Sequence, residues 1–125
     1  MIVGIGIDLI EVARVRDSHE RFGERFLNRI LLPGEIEYCL GNADPAPHLA
    51  ARFAAKEAIS KAFGTGIGGK FGWHDGEIAR RESGQPHVIL SAKGKALASR
   101  LGGATVHVSL SHLKDHACAV AVLEG

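Results

Sequence analysis

The sequence predicts an α+β fold in which an antiparallel sheet packs against one long helix and several shorter helices. Three observations indicate this class. Residues 2–9 alternate between apolar and small or polar side chains, which is the period of two that a strand requires. Residues 104–124 hold two more alternating segments joined by a short turn, as in a hairpin. Between these ends the apolar period becomes helical, most clearly in residues 47–63.

The first strand ends in an acid. One face of the strand carries Val3, Ile5 and Ile7. The other face carries Gly4, Gly6 and Asp8. Since glycine has no side chain, another part of the molecule can approach the backbone of the second face closely. A carboxylate at the end of such a strand needs compensation for lost hydration. Pairing, hydrogen bonding, a bound metal or capping of the next helix would each supply it, and Glu11 would then complete an approximate capping box.

A helical period begins at Glu11 and places four apolar residues on one face, with Gly23 expected to divide the stretch. A further helix is predicted to begin at Pro33 and to stop at Gly41 and Asn42. The four apolar residues of the first stretch are Val12, Val15, Phe22 and Phe26.

The remaining elements follow from alanine content, glycine and alternation. Residues 47–63 are rich in alanine and long side chains and end at Gly64, which predicts the longest helix. Five of the nine residues from Gly64 to Gly72 are glycine, so this segment is predicted to be a specialised loop. The second strand of the hairpin is apolar almost throughout and is expected to be central in the sheet. The other predicted elements are strands at 75–81, 86–90, 104–111 and 116–124 and a helix at 92–101.

Length and composition limit the possible functions. A chain of 125 residues fits one domain, residues 1–125, and leaves no room for a second core. With 46% hydrophobic and 23% charged residues, it is expected to be globular. A net charge of +1 gives no overall attraction to nucleic acid or a membrane. Cys39 and Cys118 lie far apart without a CxxC motif, so both are expected to be reduced thiols.

The ends of the chain predict a cytoplasmic protein. The first ten residues lack the basic start and apolar run of a secretory signal. The apolar stretch at residues 117–123 is far shorter than the roughly 20 residues of a membrane-spanning helix. We therefore expect neither export nor membrane insertion.

The long helix places Glu57 among cations. Residues 53, 57, 60, 61 and 64 share one continuous face, and Arg52 and Lys56 flank it. A carboxylate between Lys61 and these cations, beside a glycine loop with free backbone N–H groups, would suit a magnesium ion bridging to a phosphate chain. Periodicity alone equally allows a solvated helix face with i,i+4 ion pairs. The role of the glycine loop is similarly open. It matches neither GxxxxGK[ST] nor a GxGxxG placed between a strand and a helix, and a plain flexible connection is the alternative.

The histidines show no metal-binding spacing. The seven are scattered without an HExxH motif, so a structural zinc site is not expected. His112 differs because it ends a strand that also carries serines, where it could donate to a phosphate oxygen. A turn histidine bonded to backbone is the alternative.

Three segments together resemble the holo-acyl-carrier-protein synthase family of short 4′-phosphopantetheinyl transferases. They are GIGIDLIEVARV at 4–15, ARFAAKEAISKAFGTGIG at 51–68 and HVSLSHLKDHACAVAV at 107–122. The resemblance extends over the whole chain and implies the 4′-phosphopantetheinyl transferase fold. It also implies transfer of phosphopantetheine from coenzyme A to a serine of apo acyl carrier protein, in support of fatty acid biosynthesis. The second product would be adenosine 3′,5′-bisphosphate.

The resemblance assigns roles to residues around a magnesium cofactor. Asp8 and Glu57 would be the metal ligands, and Lys61 would help to neutralise the phosphates. Either Glu57 or a metal-bound water would accept the serine proton. Arg52 and His112 would hold the 3′-phosphate of coenzyme A, with His107 as a weaker candidate. The turn at Gly64 and Gly66 would let the backbone approach the nucleotide.

The resemblance also implies partners. Short members of the family form trimers with each site between neighbouring subunits. The basic stripe of Arg14, Arg21 and Arg25 would receive an acidic carrier protein, although a charged stripe by itself also fits a solvated surface. The rival from another class is a coenzyme A-binding module without catalysis, against which the presence of both Asp8 and Glu57 speaks. A nucleic-acid-binding domain fits less well, because the charge is near zero and there is one Trp and one Tyr.

Overall fold

A computed structural model of the chain describes residues 1–125. The predicted elements are present, and most of their observed ends lie within two residues of the predicted ones. The fold class is α+β, as expected. A loop without regular structure connects the long helix to the second strand. In chain order the elements are β1 (Ile2–Glu11), α1 (Val12–Phe22), α2 (Glu24–Ile30), α3 (Pro33–Leu40), α4 (Ala46–Ala62), β2 (Gly76–Arg80), β3 (Pro86–Leu90), α5 (Ala92–Arg100), β4 (Thr105–His112) and β5 (His116–Glu124).

The strands form two antiparallel sheets. The larger sheet has the order β1-β5-β4, so the prediction that the apolar last strand is central is confirmed. Ile7 lies opposite Val120 across the β1–β5 pair, and Ser109 lies opposite Val120 across the β4–β5 pair. β2 and β3 form a separate hairpin that turns at Gly84, whose φ is 92°. The large sheet therefore has its two free edges at β1 and β4.

Helix α4 packs across one face of the large sheet. β5 turns a row of three buried alanines and one leucine towards it, and β1 contributes its glycine face. A Cβ atom at Gly4 would overlap the carbonyl oxygen of Ala62, and one at Gly6 would overlap that of Ala58. Glycine at these two positions therefore lets the helix backbone contact the strand backbone, as the sequence predicted for this face. The buried row of β5 is Ala117, Ala119, Ala121 and Leu123.

The break between α1 and α2 changes one expectation. Gly23 has a φ of 53°, a backbone conformation that favours glycine, and it ends α1 as predicted. Val12 and Val15 are buried on the expected face. Phe22 is not buried with them, because it is the last residue of α1 and lies 51% exposed at the end of the helix.

A buried ion pair connects α3, α4 and the β2 hairpin. The Nζ atom of Lys56 donates to Glu35 Oε1 at 2.7 Å and to the carbonyl oxygen of Trp73 at 2.8 Å. Both side chains are fully buried. The Glu35 carboxylate also accepts hydrogen bonds from the backbone N–H groups of Leu32 and Ile78. Each oxygen of this buried carboxylate therefore has a partner.

The opposite face of the large sheet has no covering element. Alternate side chains of β1 point away from α4, and Ile5, Ile7 and Leu9 are each more than 60% exposed. Val120 and Val122 of β5 continue this surface between β1 and β4. We call these residues the outer sheet face. No helix in the structure is both long and apolar enough to span a membrane.

Candidate active site

Two carboxylates and a lysine meet at the β1 edge of the sheet. The carboxylate of Asp8 lies on the same face as the glycines that α4 packs against, and it therefore points to the helix. Lys61 donates from Nζ to Asp8 Oδ1 at 3.1 Å and to the carbonyl oxygen of Ile7 at 2.9 Å. Glu57 lies one turn before Lys61 on α4. Asp8, Glu57 and Lys61, which come from opposite parts of the sequence, therefore lie close together in the fold.

The charge of Asp8 acts on Glu57. Partial burial raises the pKa of the Glu57 carboxyl, the nearby Asp8 carboxylate raises it further, and Lys61 opposes both effects. Two carboxylates so close repel each other, and a cation between them would relieve the repulsion. Oxygen atoms from carboxylates are the ligands that magnesium prefers. The pair therefore fits a divalent cation of this kind, while no group of three or more His, Cys, Asp or Glu side chains gathers at one point.

Asp8 does not cap the helix that follows it. The N-cap position of α1 is Glu11, and it makes no side-chain capping hydrogen bond. The capping alternative for Asp8 and the approximate capping box with Glu11 are both wrong, because β1 continues three residues beyond Asp8 before the helix begins. Pairing with Lys61 is what the structure shows for the Asp8 carboxylate.

A second polar cluster lies at the β4 edge of the sheet. Arg52 is buried, and its Cζ atom lies 4.3 Å from the centre of the Tyr38 ring. The rings of His48 and His112 meet edge to face, with their centres 4.9 Å apart. Arg80 also borders the cavity of about 320 Å³ that these side chains line. We call this cavity the cationic pocket; it is lined by Tyr38, His48, Ala51, Arg52, Arg80, Gly84, Pro86, Leu110 and His112.

The cationic pocket suits an anion. The residues lining it include no acid. Arg52 makes no ion pair, and its Nε atom is buried without a hydrogen-bond partner. A buried donor without a partner is costly, and a phosphate oxygen would satisfy it. The structure thus brings Arg52 and His112 together as expected, in surroundings that favour phosphate.

Two cations lie elsewhere than the helical pattern suggested. Arg52 and Glu57 are five residues apart, which places them about 140° apart around the helix axis. Arg52 therefore faces β4 while Glu57 faces β1. Lys56 pairs with Glu35 in the core. The expected cluster of three cations around Glu57 is therefore wrong for Arg52 and Lys56. The alternative of a solvated helix face is also wrong for these two residues, because both are buried.

The glycine loop has fewer free donors than expected. The N–H groups of Gly64, Thr65 and Gly66 all donate to carbonyl oxygens at the end of α4. Gly64 and Gly66 have φ values of 76° and 68°, so glycine is required there by backbone conformation. The prediction of free backbone N–H groups at this turn is wrong, because helix termination uses them. A Cβ atom at either glycine would meet nothing within 4 Å, so space for a ligand remains.

The histidines of β4 lie on opposite faces of the sheet. His112 follows the alternation of Leu110 and points to the α4 side, where it meets His48. It therefore does not share a face with the serines of its strand. His107 is on the outer side and pairs with Glu124 at 2.9 Å. His107 lines a different cavity and is not among the residues of the cationic pocket.

The basic stripe of the first two helices is exposed. Arg21 lies 3.7 Å from Asp17, one helical turn away. Arg14 and Arg25 border two different cavities, and Phe26 lines both. Exposed Phe22 and Arg29 complete the cavity beside Arg25. The surface therefore combines positive charge with an accessible aromatic side chain.

Sequence reasoning missed three residues of the cationic pocket. His48 precedes Arg52 by one helical turn, so the helical period would have placed the two on one face. Tyr38 and Arg80 come from α3 and the end of β2. No spacing in the sequence connects these elements with α4, and only their packing brings the side chains together.

Comparison with known proteins gives a consistent result. A family model of the 4′-phosphopantetheinyl transferase superfamily matches residues 4–121. The chain is 48% identical over 124 residues to a holo-[acyl-carrier-protein] synthase of Koribacter versatilis, covering 99% of each chain. It is 48% identical over 120 residues to the synthase of Chlorobaculum parvum, covering 96% of this chain and 97% of that one.

Solved structures are similar over the whole length. The holo-[acyl-carrier-protein] synthase of Neisseria meningitidis has a TM-score of 0.92 at 34% identity, covering 100% of both chains. The Helicobacter pylori synthase, in complex with coenzyme A, has a TM-score of 0.86 at 34% identity, covering 96% of this chain and 99% of that one. The Bacillus anthracis synthase, in complex with CoA (3′,5′-ADP), has a TM-score of 0.82 at 40% identity, covering 100% of this chain and 98% of that one.

Proposed function

Because this chain belongs to the 4′-phosphopantetheinyl transferase superfamily, and to its holo-[acyl-carrier-protein] synthases, we propose that it makes holo acyl carrier protein. It transfers the 4′-phosphopantetheine group of coenzyme A to a serine of apo acyl carrier protein, in support of fatty acid biosynthesis. The observation that carries this proposal is the meeting of Asp8, Glu57 and Lys61 on a fold shared along its whole length with these synthases.

The reaction exchanges one bond to phosphorus for another. The serine Oγ forms a bond to the phosphorus that bears pantetheine, and the pyrophosphate P–O bond breaks, releasing adenosine 3′,5′-bisphosphate. Lys61 is half exposed and places its ammonium group beside the carboxylates, where it neutralises charge on the leaving phosphate. The serine proton needs an acceptor, and the Glu57 carboxylate or a water molecule beside it would take that role.

The carboxylate pair is also the proposed magnesium site. Asp8 and Glu57 would hold the ion, and their oxygen donors and mutual repulsion fit that role. When bound, magnesium would bind the pyrophosphate and stabilise charge on the reacting phosphorus and the leaving group. Lys61 would then either stay paired with Asp8 or turn its ammonium group to the phosphates. Its half-exposed side chain has room for that movement.

The position of the two clusters supports a trimer with shared sites. Asp8, Glu57 and Lys61 lie at the β1 edge, while Arg52 and His112 lie at the β4 edge. Helix α4 and the central strand separate these clusters within one chain. A ring of copies that joins the β1 edge of one to the β4 edge of the next would unite them. The outer sheet face would supply apolar area for such an assembly.

The basic stripe would receive the carrier protein. Arg14, Arg21 and Arg25 are exposed around the aromatic side chains of Phe22 and Phe26. Acidic residues of a carrier would be attracted to this charge, and an apolar residue of the carrier would contact the phenyl rings. The stripe lies on the helices that directly follow β1, so a carrier docked there would present its serine to the carboxylates. We also propose a cytoplasmic location, where coenzyme A and the carrier would be available.

Intact mass spectrometry tests the transfer directly. Apo acyl carrier protein, coenzyme A and magnesium are incubated with the wild-type protein, and the carrier is expected to gain one phosphopantetheine. Asp8→Asn and Glu57→Gln are expected to abolish the gain, as is a chelator. Glu82→Gln, which changes an exposed acid in the β2–β3 turn, is the matched control and should leave the rate unchanged. A wild-type protein that binds coenzyme A but modifies no carrier would favour the rival coenzyme A-binding module.

A further inference from the structure

The cationic pocket contains a second guanidinium group. The Cζ atom of Arg80 lies 4.7 Å from the centre of the Tyr38 ring, compared with 4.3 Å for Arg52. A Cβ atom at Gly84 would lie only 3.3 Å from Arg80 Nη2, so the guanidinium rests directly on the turn of the β2–β3 hairpin. The aromatic ring and the glycine together hold Arg80 beside the cavity.

Neither guanidinium has a carboxylate partner. Arg52 and Arg80 form no ion pair and donate no side-chain hydrogen bond. The acid that acts on the neighbouring histidine is Asp44, and it is already held by Arg16 at 2.8 Å. Two permanent positive charges thus face the cavity without compensation. Their summed charge of about +2 would balance the charge of about −2 on one phosphate monoester dianion.

His48 adds a group whose charge depends on pH. Its ring meets His112 on one side and Tyr38 on the other. Burial lowers the pKa of His48, and the charges of His112, Arg52 and Arg80 lower it further, while Asp44 opposes them. His48 is therefore neutral in the free protein at neutral pH. An anion in the cavity would offset the charges of Arg52 and Arg80 and favour the protonated His48 ring.

We propose that Arg80 and His48 make this pocket selective for coenzyme A that carries its 3′-phosphate, over dephospho-coenzyme A. The proposal rests on the proposed function, because that function places the nucleotide of coenzyme A here. Arg80 supplies the second guanidinium for the dianion, in addition to Arg52. His48 supplies a further donor and takes up a proton when the phosphate binds.

The sign of the pH effect follows from that proton uptake. A ligand that raises the pKa of a group binds more tightly as the pH falls towards that pKa. The preference for the 3′-phosphorylated ligand should therefore increase between pH 8 and about pH 6.5, above the second phosphate pKa near 6. A ligand without the 3′-phosphate should show no such increase.

Calorimetric titration of the assembled protein with adenosine 3′,5′-bisphosphate and with adenosine 5′-monophosphate tests the proposal. Arg80→Gln should weaken binding of the bisphosphate about tenfold, the loss expected for one charge-assisted hydrogen bond, and binding of the monophosphate less than twofold. The matched control is Arg81→Gln, because Arg81 is the next residue and lines a different cavity. It should change neither affinity by more than about twofold. His48→Gln should reduce the pH dependence for the bisphosphate and the proton uptake measured in buffers of different ionisation enthalpy.

Several outcomes would overturn the inference. Equal weakening of both nucleotides by Arg80→Gln would show that Arg80 only maintains the fold of the pocket. An unchanged pH dependence in His48→Gln would remove His48 from the phosphate site. Parallel transfer assays with coenzyme A and dephospho-coenzyme A separate this inference from the proposed function. If the wild type transfers from neither donor, the proposed function fails; if it transfers from both with equal KM, the selectivity fails and the transfer stands.

Discussion

Lys56 and Lys61 show how the fold decides what a single residue does. They lie five residues apart on α4, yet Lys56 is fully buried beside Glu35 and Lys61 is half exposed beside Asp8. Burial lowers the pKa of Lys56, and the charge of Glu35 opposes that effect. Lys56 is therefore committed to a structural partner, whereas Lys61 can move to a substrate phosphate.

Arg14 offers a test of carrier docking. Replacing Arg14 with glutamate should raise the KM for the carrier, because an acidic partner would then be repelled from the stripe. The loss of one attractive contact and the gain of a repulsive one predict an increase of about tenfold or more. Steady-state kinetics with varied carrier and saturating coenzyme A measure this, and the KM for coenzyme A should change little.

The control for this prediction is another exposed arginine far from the stripe. Arg100→Glu changes the net charge equally at the end of α5 and should leave the carrier KM near its wild-type value. If Arg14→Glu and Arg100→Glu act alike, the effect belongs to overall charge and not to a docking surface. Unchanged carrier kinetics in Arg14→Glu would remove Arg14 from the interface.

Among elements, the contact between β1 and α4 controls the geometry of the carboxylates. The strand and helix backbones touch at Gly4 and Gly6, which are four and two residues before Asp8. A side chain at Gly4 or Gly6 would move the helix away from the strand. The spacing between Asp8 and Glu57 is therefore set by glycines that themselves carry no chemistry.

Gly6→Ala should disturb this contact strongly. Its methyl group would overlap the carbonyl oxygen of Ala58, which belongs to the helix backbone and cannot move alone. We expect a loss of about 3 kcal/mol or more in the free energy of unfolding, measured by urea titration at fixed protein concentration. Gly68→Ala is the control, since a methyl group there meets nothing within 4 Å. Equal stability of the two variants would mean that α4 does not contact β1 as closely as described.

The Glu35–Lys56 pair connects α3, α4 and β2 and can be tested by a double-mutant cycle. Lys56→Met leaves a buried carboxylate without its counter-ion and should cost about 3–5 kcal/mol of unfolding free energy. Adding Glu35→Gln removes the uncompensated charge, so the double variant should be more stable than Lys56→Met alone. Urea unfolding of the four proteins measures the coupling. A Lys56→Met protein as stable as the wild type would show that no charge is buried at Glu35.

For the whole molecule, the separation of the two clusters has the largest consequence. The carboxylates and the cationic pocket lie at opposite edges of one sheet, and α4 stands between them. The exposed apolar residues of the outer sheet face lie between the same two edges. One assembly would therefore both cover this surface and complete the proposed coenzyme A site.

Ile7→Glu tests that assembly. Ile7 is 65% exposed on the outer sheet face, and a charge there should oppose its burial between copies. Size-exclusion chromatography with light scattering should give a trimer for the wild type and a monomer for the variant. Transfer activity should fall with the loss of the trimer. Leu101→Glu, at an exposed apolar position after α5, is the control and should remain trimeric. A fully active monomer would show that one chain holds a complete site.

The sequence by itself determined the order and type of almost every element, because alternation, helical period and glycine are local signals. It also marked Asp8, Glu57, Lys61, Arg52 and His112, and the structure divides them into two groups at the two edges. The tertiary structure alone decided that Lys56 is buried with Glu35 and that the loop N–H groups terminate α4. It also brought Tyr38 and Arg80 to the pocket. These features depend on contacts between residues that are distant in sequence. Such contacts arise from packing and cannot be predicted from a local pattern.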